Sequence, residues 1–208
     1  MRSFQRRTPR DILYFTGLYV ASMRWLLTAA APGHRPVSQR SRDRMDMLLI
    51  VLFAVSMAAL PMLHAVTTLL DRWRYPLPKL LRQAGMAVYA LALALMWRAY
   101  RDLGMNWAPV TETGRSQTLV TSGVYRGIRH PIYAAYLLWS TAMPLMIPNI
   151  AAGFAMPVVT ILLCLRRIPI EEHRLLETYG DEYRRYRHRT ASLLPMPRHF
   201  APRARTSG

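Results

Sequence analysis

Two long stretches without a formally charged residue constrain the fold of this 208-residue chain more than any other feature. Residues 47–70 are 24 such positions, and residues 131–165 are 35. Because an α-helix rises about 1.5 Å per residue, 24 residues exceed the roughly 30 Å hydrocarbon thickness of a bilayer. The first stretch is therefore predicted to span a membrane as a helix kinked at Pro61, which neighbouring helices can tolerate.

The second stretch is interrupted at Pro148-Asn149, which predicts two helices folded into a hairpin with arms of about 16 residues. Residues 83–97 predict a further spanning segment. Residues 11–31 are apolar but contain Arg24, so they either cross the membrane or lie in its interface. The predicted fold class is all-α: a polytopic membrane protein of about five transmembrane helices, with a helical hairpin and cytoplasmic C-terminal helices.

The chain carries 28 Lys and Arg residues against 11 Asp and Glu, a net charge of +17. Such a balance is typical of a nucleic-acid-binding protein or of a membrane protein with basic margins. The basic residues flank the apolar stretches, and a 35-residue uncharged run would not stay in water. We therefore expect membrane lipids as partners and no nucleic acid. By the positive-inside rule, the arginine-rich segments 98–129 and 166 onward both lie in the cytoplasm.

Metal and disulfide chemistry find little support in the sequence. The single cysteine, Cys164, excludes an internal disulfide and a thiolate metal cluster. His64 lies in the first apolar stretch with no second candidate ligand nearby, so no metal site is predicted. No strand followed by a Gly-x-Gly turn occurs, which disfavours a soluble Rossmann-type enzyme.

Residues 117–133, QTLVTSGVYRGIRHPIY, form the densest set of polar, glycine and aromatic residues before the hairpin. Two glycines permit tight turns, and Pro131 fits the first turn of the next helix. His130 and Tyr133 are then expected at a helix start, where backbone N–H groups are free. The alternative is an interfacial anchor whose arginines and tyrosines lie at the depth of the lipid headgroups.

Residues 166–186, RRIPIEEHRLLETYGDEYRRY, predict an amphipathic cytoplasmic helix broken near Gly180. Arg167 and Glu171 are four residues apart and share one face. Glu171 and Glu172 follow a membrane exit closely, so one of the two carboxylates is expected to face the protein interior. The alternative is a solvated helix with ordinary ion pairs.

Together, the runs LVTSGVYRGIRHPIY and RRIPIEEHRLLETYGDEYRRY resemble the isoprenylcysteine carboxyl methyltransferase family, as a bacterial-type member, and its phospholipid methyltransferase relatives. The resemblance covers residues 97–195. It implies a membrane enzyme that binds S-adenosylmethionine between the pre-hairpin loop and the C-terminal helices, without a Rossmann domain or a metal. It divides the chain into N-terminal transmembrane helices without a specific match (1–97), a methyltransferase core (98–195) and a tail predicted to be disordered (196–208).

The resemblance also implies roles for individual residues. Arg167, which would face the methyl acceptor, and Glu172 are the implied catalytic residues. Because the alignment could slip by one position, which of Glu171 and Glu172 contacts the cofactor stays open. The implied S-adenosylmethionine pocket is lined by Gln117, Thr118, Leu119, Val120, Tyr125, His130, Pro131, Ile132, Tyr133 and Glu171.

This chemistry suits the residues themselves. Methyl transfer from a sulfonium is a direct displacement that needs alignment and a dry site rather than a metal. Tyrosine rings and a carboxylate can bind the sulfonium cation, and an arginine can hold an acceptor carboxylate in line. The expected substrate is a lipophilic small molecule or a lipid, in a bacterial inner membrane with the site facing the cytoplasm. Phospholipid or small-thiol methylation, or a non-enzymatic membrane role, are the alternatives; the acceptor and the oligomeric state are left open.

Overall fold

A computed structural model describes residues 13–21, 44–104 and 118–194 of the chain, and these residues are predominantly helical. The helices are α1 (13–21), α2 (Arg44–Ala54), α3 (Leu60–Val66), α4 (Lys79–Leu103), α5 (Pro131–Met146) and α6 (Ile150–Arg189). A π-helical turn, Val55–Ala59, joins α2 to α3, and 3-10 turns cover Asp71–Trp73 and Gly123–Arg126. The predicted all-α class is thus confirmed for the described part of the chain.

Three helical stretches in the described ranges are long and apolar enough to cross a bilayer: Arg44–Val66, Lys79–Leu103 and Ile150–Arg189. Their outward side chains include Val51, Leu91, Val158 and Leu165, all exposed as they would be to lipid. These helices support an integral membrane protein. The count of about five is not confirmed, because α5 has only 16 residues and residues 11–31 are described only from 13 to 21.

The first spanning segment differs from the prediction at its end and at its proline. It ends at Val66 rather than at residue 70, because Thr67 is extended and donates its N–H and hydroxyl to the Leu63 carbonyl. Pro61 has no N–H to donate to the Met57 carbonyl four residues earlier. The π-helical turn precedes this proline, and the hydroxyl of Tyr14 in α1 donates to that carbonyl. The helix irregularity therefore provides a docking point for α1.

The predicted hairpin is confirmed, with its break at Pro148-Asn149. Asn149 is fully buried and caps α6, since its Oδ1 accepts from the Ala152 N–H at 3.0 Å. Its Nδ2 donates to the Leu70 carbonyl at 2.6 Å, which ties the α3–α4 connection to the hairpin tip. The second arm is longer than predicted: α6 continues through the charged segment, with Gly180 at φ +50° marking the predicted break.

Helix α5 lies between α4 and α6, and the core between them is built from large buried side chains. Tyr89 of α4 and Trp139 of α5 pack edge to face with ring centroids 5.2 Å apart. Helix α4 has 25 residues instead of the predicted 83–97, because polar residues extend it at both ends beyond the uncharged stretch. The contact of Arg129 with Glu172 places the start of α5 and the charged half of α6 at the same end of the bundle. The hairpin tip, where Asn149 contacts Leu70, lies at the opposite end.

Candidate active site

An aspartate at the end of α4 holds the loop that leads into α5. Oδ2 of Asp102 accepts a hydrogen bond from the Val124 N–H at 2.8 Å and contacts Arg98 Nε at 3.2 Å. Gly123, at φ +61°, lies so close that a Cβ at its position would overlap the Asp102 carboxylate. The prediction that glycine permits a tight turn in this loop is confirmed at Gly123.

Replacing Gly123 with alanine is expected to lower the free energy of unfolding by about 2 kcal/mol, because a left-handed residue with a Cβ costs roughly 1–2 kcal/mol before any clash. The new methyl group would also displace Asp102 from Val124. Thermal unfolding in detergent measures the loss. Gly127→Ala is the matched control, since φ there is −104° and the nearest atom to its Cβ would be 3.9 Å away. Equal losses in the two variants would contradict this explanation.

The same loop is paired on its other side with the residues that follow α6. The Arg129 N–H donates to the Ala191 carbonyl at 2.8 Å, and the His130 N–H donates to the Ser192 carbonyl at 3.0 Å. The hydroxyl of Tyr186 donates to the Tyr125 carbonyl at 2.6 Å. The first motif is therefore joined by backbone hydrogen bonds to the residues after α6, and by the Tyr186 side chain to the second motif.

Glu172 is the more enclosed member of the acidic pair. Its Oε1 accepts from Arg129 Nη2 at 2.8 Å and lies 3.3 Å from His130 Nε2, while Oε2 lies 3.4 Å from Arg187 Nε. Only 12% of its side chain is exposed. Arg129 also donates from Nη1 to the carbonyls of Arg187 and Thr190, so this carboxylate and guanidinium together fasten the end of the chain to the loop.

His130 precedes α5 directly and is buried. Loss of hydration lowers the pKa of His130 below its ordinary value, although the carboxylates of Glu171 and Glu172 oppose this shift. The imidazole is accordingly neutral at pH 7. If Nε2 donates to Glu172, then Nδ1 presents a lone pair toward Glu171, whose Oε2 lies 4.0 Å away. Two acceptors thus face each other across this gap.

Glu171 is more open than its neighbour, with 33% of its side chain exposed. Its Oε1 accepts from the hydroxyl of Tyr133 at 2.6 Å and from Arg167 Nη2 at 3.3 Å. Arg167 also donates from Nε to the Tyr133 oxygen at 3.2 Å. Tyr133, Arg167 and Glu171 thus form a polar cluster in which each residue contacts the other two. The expectation that the tract before the hairpin and the acidic helix meet is confirmed by these contacts.

A buried carboxylate of α2 adjoins this cluster. Asp46 lies 2.7 Å from Arg166 Nε through Oδ1 and 3.7 Å from Arg167 Nη1 through Oδ2. Sequence reasoning did not single out Asp46. The available signal was its position one residue before the first uncharged stretch, where a carboxylate can turn inward toward arginines at the membrane margin.

The structure brings together five of the predicted site residues: His130, Tyr133, Arg167, Glu171 and Glu172. Six others are described but do not share these contacts. Tyr125 and Pro131 are buried and Ile132 is half-buried, whereas residues 118–120 (Thr118, Leu119 and Val120) belong to no helix or strand, with Thr118 exposed. Gln117 lies outside the described residues. The role of each residue stays a prediction.

Within residues 13–21, 44–104 and 118–194, no three His, Cys, Asp or Glu side chains are grouped as a metal ion would require. The polar cluster instead mixes two carboxylates with an imidazole, a phenol and guanidinium groups, a set suited to binding a polar organic molecule.

Comparisons with known proteins give one family. Residues 85–177 match the isoprenylcysteine carboxyl methyltransferase (ICMT) family. Protein-S-isoprenylcysteine O-methyltransferase B of Arabidopsis thaliana is 40% identical over 113 residues, which are 53% of this chain and 57% of that protein. A probable protein-S-isoprenylcysteine O-methyltransferase of Oryza sativa subsp. japonica is 28% identical over 183 residues, covering 82% of this chain and 87% of the rice protein.

The fold has a solved counterpart as well. The eukaryotic intramembrane Ras methyltransferase ICMT (isoprenylcysteine carboxyl methyltransferase) aligns with a TM-score of 0.57 and 24% identity over 91% of this chain and 68% of that one. The chain thus shares the fold of that protein and spans little more than half of the Arabidopsis relative. These relatives are eukaryotic, so a bacterial-type member stays a prediction.

Proposed function

From the match of residues 85–177 to the isoprenylcysteine carboxyl methyltransferase family, we propose that the chain is a member of that family and an integral membrane methyltransferase. It uses S-adenosylmethionine to methylate the carboxylate of a lipophilic acceptor of the isoprenylcysteine class. The observation that carries the proposal is the meeting of the two motifs. His130 and Glu171, which are 41 positions apart in the sequence, lie within 4.0 Å of each other beside Tyr133 and Arg167.

The described residues fit a cofactor of this kind. Nδ1 of a neutral His130 and Oε2 of Glu171 are two acceptors that face each other, so a group with several N–H or O–H donors would satisfy both. An ammonium or a ribose diol has such donors. Tyr133 adds an aromatic ring beside a carboxylate, the pairing that favours a cationic ligand. Glu171 is therefore the proposed cofactor contact of the acidic pair.

When bound, S-adenosylmethionine supplies a methyl group on a positively charged sulfur. Held beside Glu171 and Tyr133, it would give this methyl group to an acceptor carboxylate oxygen, and the electrons of the sulfur–methyl bond would stay on sulfur. A carboxylate already carries the attacking electron pair, so no general base has to remove a proton. The positive charge on sulfur and the negative charge on the carboxylate both disappear in the reaction. A site shielded from water favours this loss of charge. The protein therefore has to align the acceptor carboxylate with the methyl group and exclude water from both.

Arg167 is proposed to align the acceptor. A guanidinium has five N–H donors, and the contacts of Arg167 with the described residues Tyr133, Glu171 and Asp46 engage three of them. N–H groups therefore remain on the terminal nitrogens for an acceptor carboxylate. Glu172, for which the resemblance implies a catalytic role beside Arg167, is proposed to act by holding Arg129 and His130 in place, since its oxygens already have protein partners.

The test is a transfer assay on purified protein in detergent, with methyl-labelled S-adenosylmethionine and an S-farnesyl cysteine that has a free carboxylate. Label is expected in a base-labile methyl ester. The carboxamide of the same acceptor is the matched control and is expected to stay unlabelled. Phosphatidylethanolamine and a small alkyl thiol are run in parallel. Label in either of these and not in the farnesyl cysteine would replace the proposed acceptor, and no label in any would contradict the proposed activity.

Replacing Glu171 with glutamine is expected to weaken S-adenosylmethionine binding about tenfold, because a hydrogen bond to a charged group contributes roughly 1.5 kcal/mol or more. The amide keeps the size of the side chain but removes its charge. Titration calorimetry in detergent measures the affinity. Glu177→Gln is the control, since Glu177 is exposed and pairs with His173 on the same helix. Unchanged affinity in the Glu171 variant would remove it from the cofactor site.

We further propose that this end of the bundle faces the cytoplasm. The last turns of α6 carry exposed arginines at positions 184, 185, 187 and 189, and the positive-inside rule favours a cytoplasmic location for them. The bacterial inner membrane is the membrane proposed from the sequence. Labelling of a cysteine introduced at an exposed arginine position, in sealed vesicles of known orientation, tests the placement.

A further inference from the structure

We propose that Asp46 is a positioning residue for methyl transfer, holding the Arg167 guanidinium at the angle that an acceptor carboxylate requires. The inference rests on the proposed function, because it assigns Asp46 to the acceptor side of that same site. Asp46 belongs to α2, which lies outside the matched segment 85–177. The N-terminal helices therefore contribute to the chemistry as well as to membrane anchoring.

The contacts of Arg167 come from three directions. Tyr133 of α5 accepts from Nε at 3.2 Å, and Glu171 of α6 accepts from Nη2 at 3.3 Å. Asp46 is the partner from a third helix, at 3.7 Å from Nη1. Contacts on one side alone would leave a long side chain free to rotate. A partner at each of the three nitrogens fixes the plane of the guanidinium, and with it the direction of the remaining N–H groups.

The surroundings of Asp46 strengthen its attraction for the Arg167 guanidinium. Its side chain is 8% exposed, so water competes little for its oxygens. It also lies in the first turn of α2, where free backbone N–H groups favour a negative charge. Arg167 is more exposed than Asp46, with 26% of its side chain accessible. The enclosed carboxylate is therefore placed to orient the more exposed guanidinium.

Asp46 has a second arginine partner, which provides a way to separate positioning from simple fastening. Arg166 Nε lies 2.7 Å from Oδ1, and this is the shorter of the two contacts. If Asp46 only fastens α2 to α6, then loss of Arg166 should matter at least as much as loss of Asp46. If Asp46 positions Arg167, then Arg166 is dispensable for turnover.

The experiment compares Asp46→Asn with Arg166→Gln in the full-length chain. Purified proteins are assayed for turnover and acceptor KM with the farnesyl cysteine, for S-adenosylmethionine affinity by calorimetry, and for thermal unfolding. Asp46→Asn is expected to lower kcat about tenfold and to raise the acceptor KM, with cofactor affinity within threefold of the parent. Arg166→Gln is expected to keep kcat within threefold. Asp46→Glu, which retains the charge but moves it by one methylene, is expected to lose about threefold in kcat.

Several outcomes would overturn the inference. Parent-like kinetics in Asp46→Asn would do so, as would equal losses of kcat and stability in Asp46→Asn and Arg166→Gln. If Asp46→Asn does not fold, the decision falls to Asp46→Glu, and unchanged kcat in that variant would refute positioning. An inactive parent protein that still binds the cofactor would contradict the proposed acceptor instead, which keeps the two failures distinguishable.

Discussion

Replacing Arg167 with lysine is expected to lower kcat for methyl transfer about 100-fold while S-adenosylmethionine affinity changes less than threefold. A factor of 100 corresponds to about 2.7 kcal/mol of activation free energy. Lysine keeps the positive charge, so attraction of an acceptor carboxylate persists. It lacks the planar set of donors that contacts Tyr133 and Glu171 and also orients the acceptor. Alignment can supply a large part of the barrier reduction for a displacement that needs no base.

Single-turnover assays with saturating cofactor measure this prediction, and calorimetry measures cofactor affinity separately. Arg174→Lys provides the matched control, because Arg174 is exposed on the same helix two turns further along. That variant is expected to keep full turnover. A parallel fall in cofactor affinity and kcat for Arg167→Lys would mean that Arg167 serves the cofactor, and the division of roles between Arg167 and Glu171 would be wrong.

The sequence was sufficient for those parts of the fold that depend on local patterns. Uncharged length indicated the spanning helices, Pro148-Asn149 indicated the hairpin break, and Gly180 indicated the break in α6. Each of these features depends on neighbouring residues, through hydrophobicity or backbone geometry. Helix ends were less accurate. Polar residues extend α4 at both ends, and Thr67 ends α3 early, because capping and end charges do not follow from hydrophobic length.

The candidate site, too, was predictable from the sequence only in part. Its two motifs were recognisable because each is a contiguous run of residues. The unequal enclosure of Glu171 and Glu172 was not, since adjacent residues on a helix point about 100° apart and only the packing decides which faces inward. Asp46 was missed for a related reason. It is 121 positions from Arg167 in the sequence, and their contact depends on how α2 is rotated against α6. Hydrophobic patterns do not determine that rotation.

Replacing Glu172 with alanine is expected to destabilise the protein by about 3 kcal/mol, the largest stability effect of any single change in this site. The variant leaves Arg129 buried without its carboxylate and removes a partner of His130 and Arg187. Removing one member of a buried ion pair typically costs about 3–5 kcal/mol, because the remaining charge is uncompensated. Arg129 also holds the Arg187 and Thr190 carbonyls, so the end of α6 should loosen from the loop.

Thermal unfolding and limited proteolysis in detergent measure the two consequences of this change. The melting temperature is expected to fall by about 10 °C, at roughly 2–4 °C per kcal/mol for a chain of this size. New cleavage is expected near residues 187–192. Glu177→Ala is the control, since its carboxylate is 64% exposed, and exposed ion pairs contribute little. An unchanged melting temperature in Glu172→Ala would mean that Glu172 does not hold the two motifs together. The catalytic role that the resemblance implies for Glu172 would then replace the structural one.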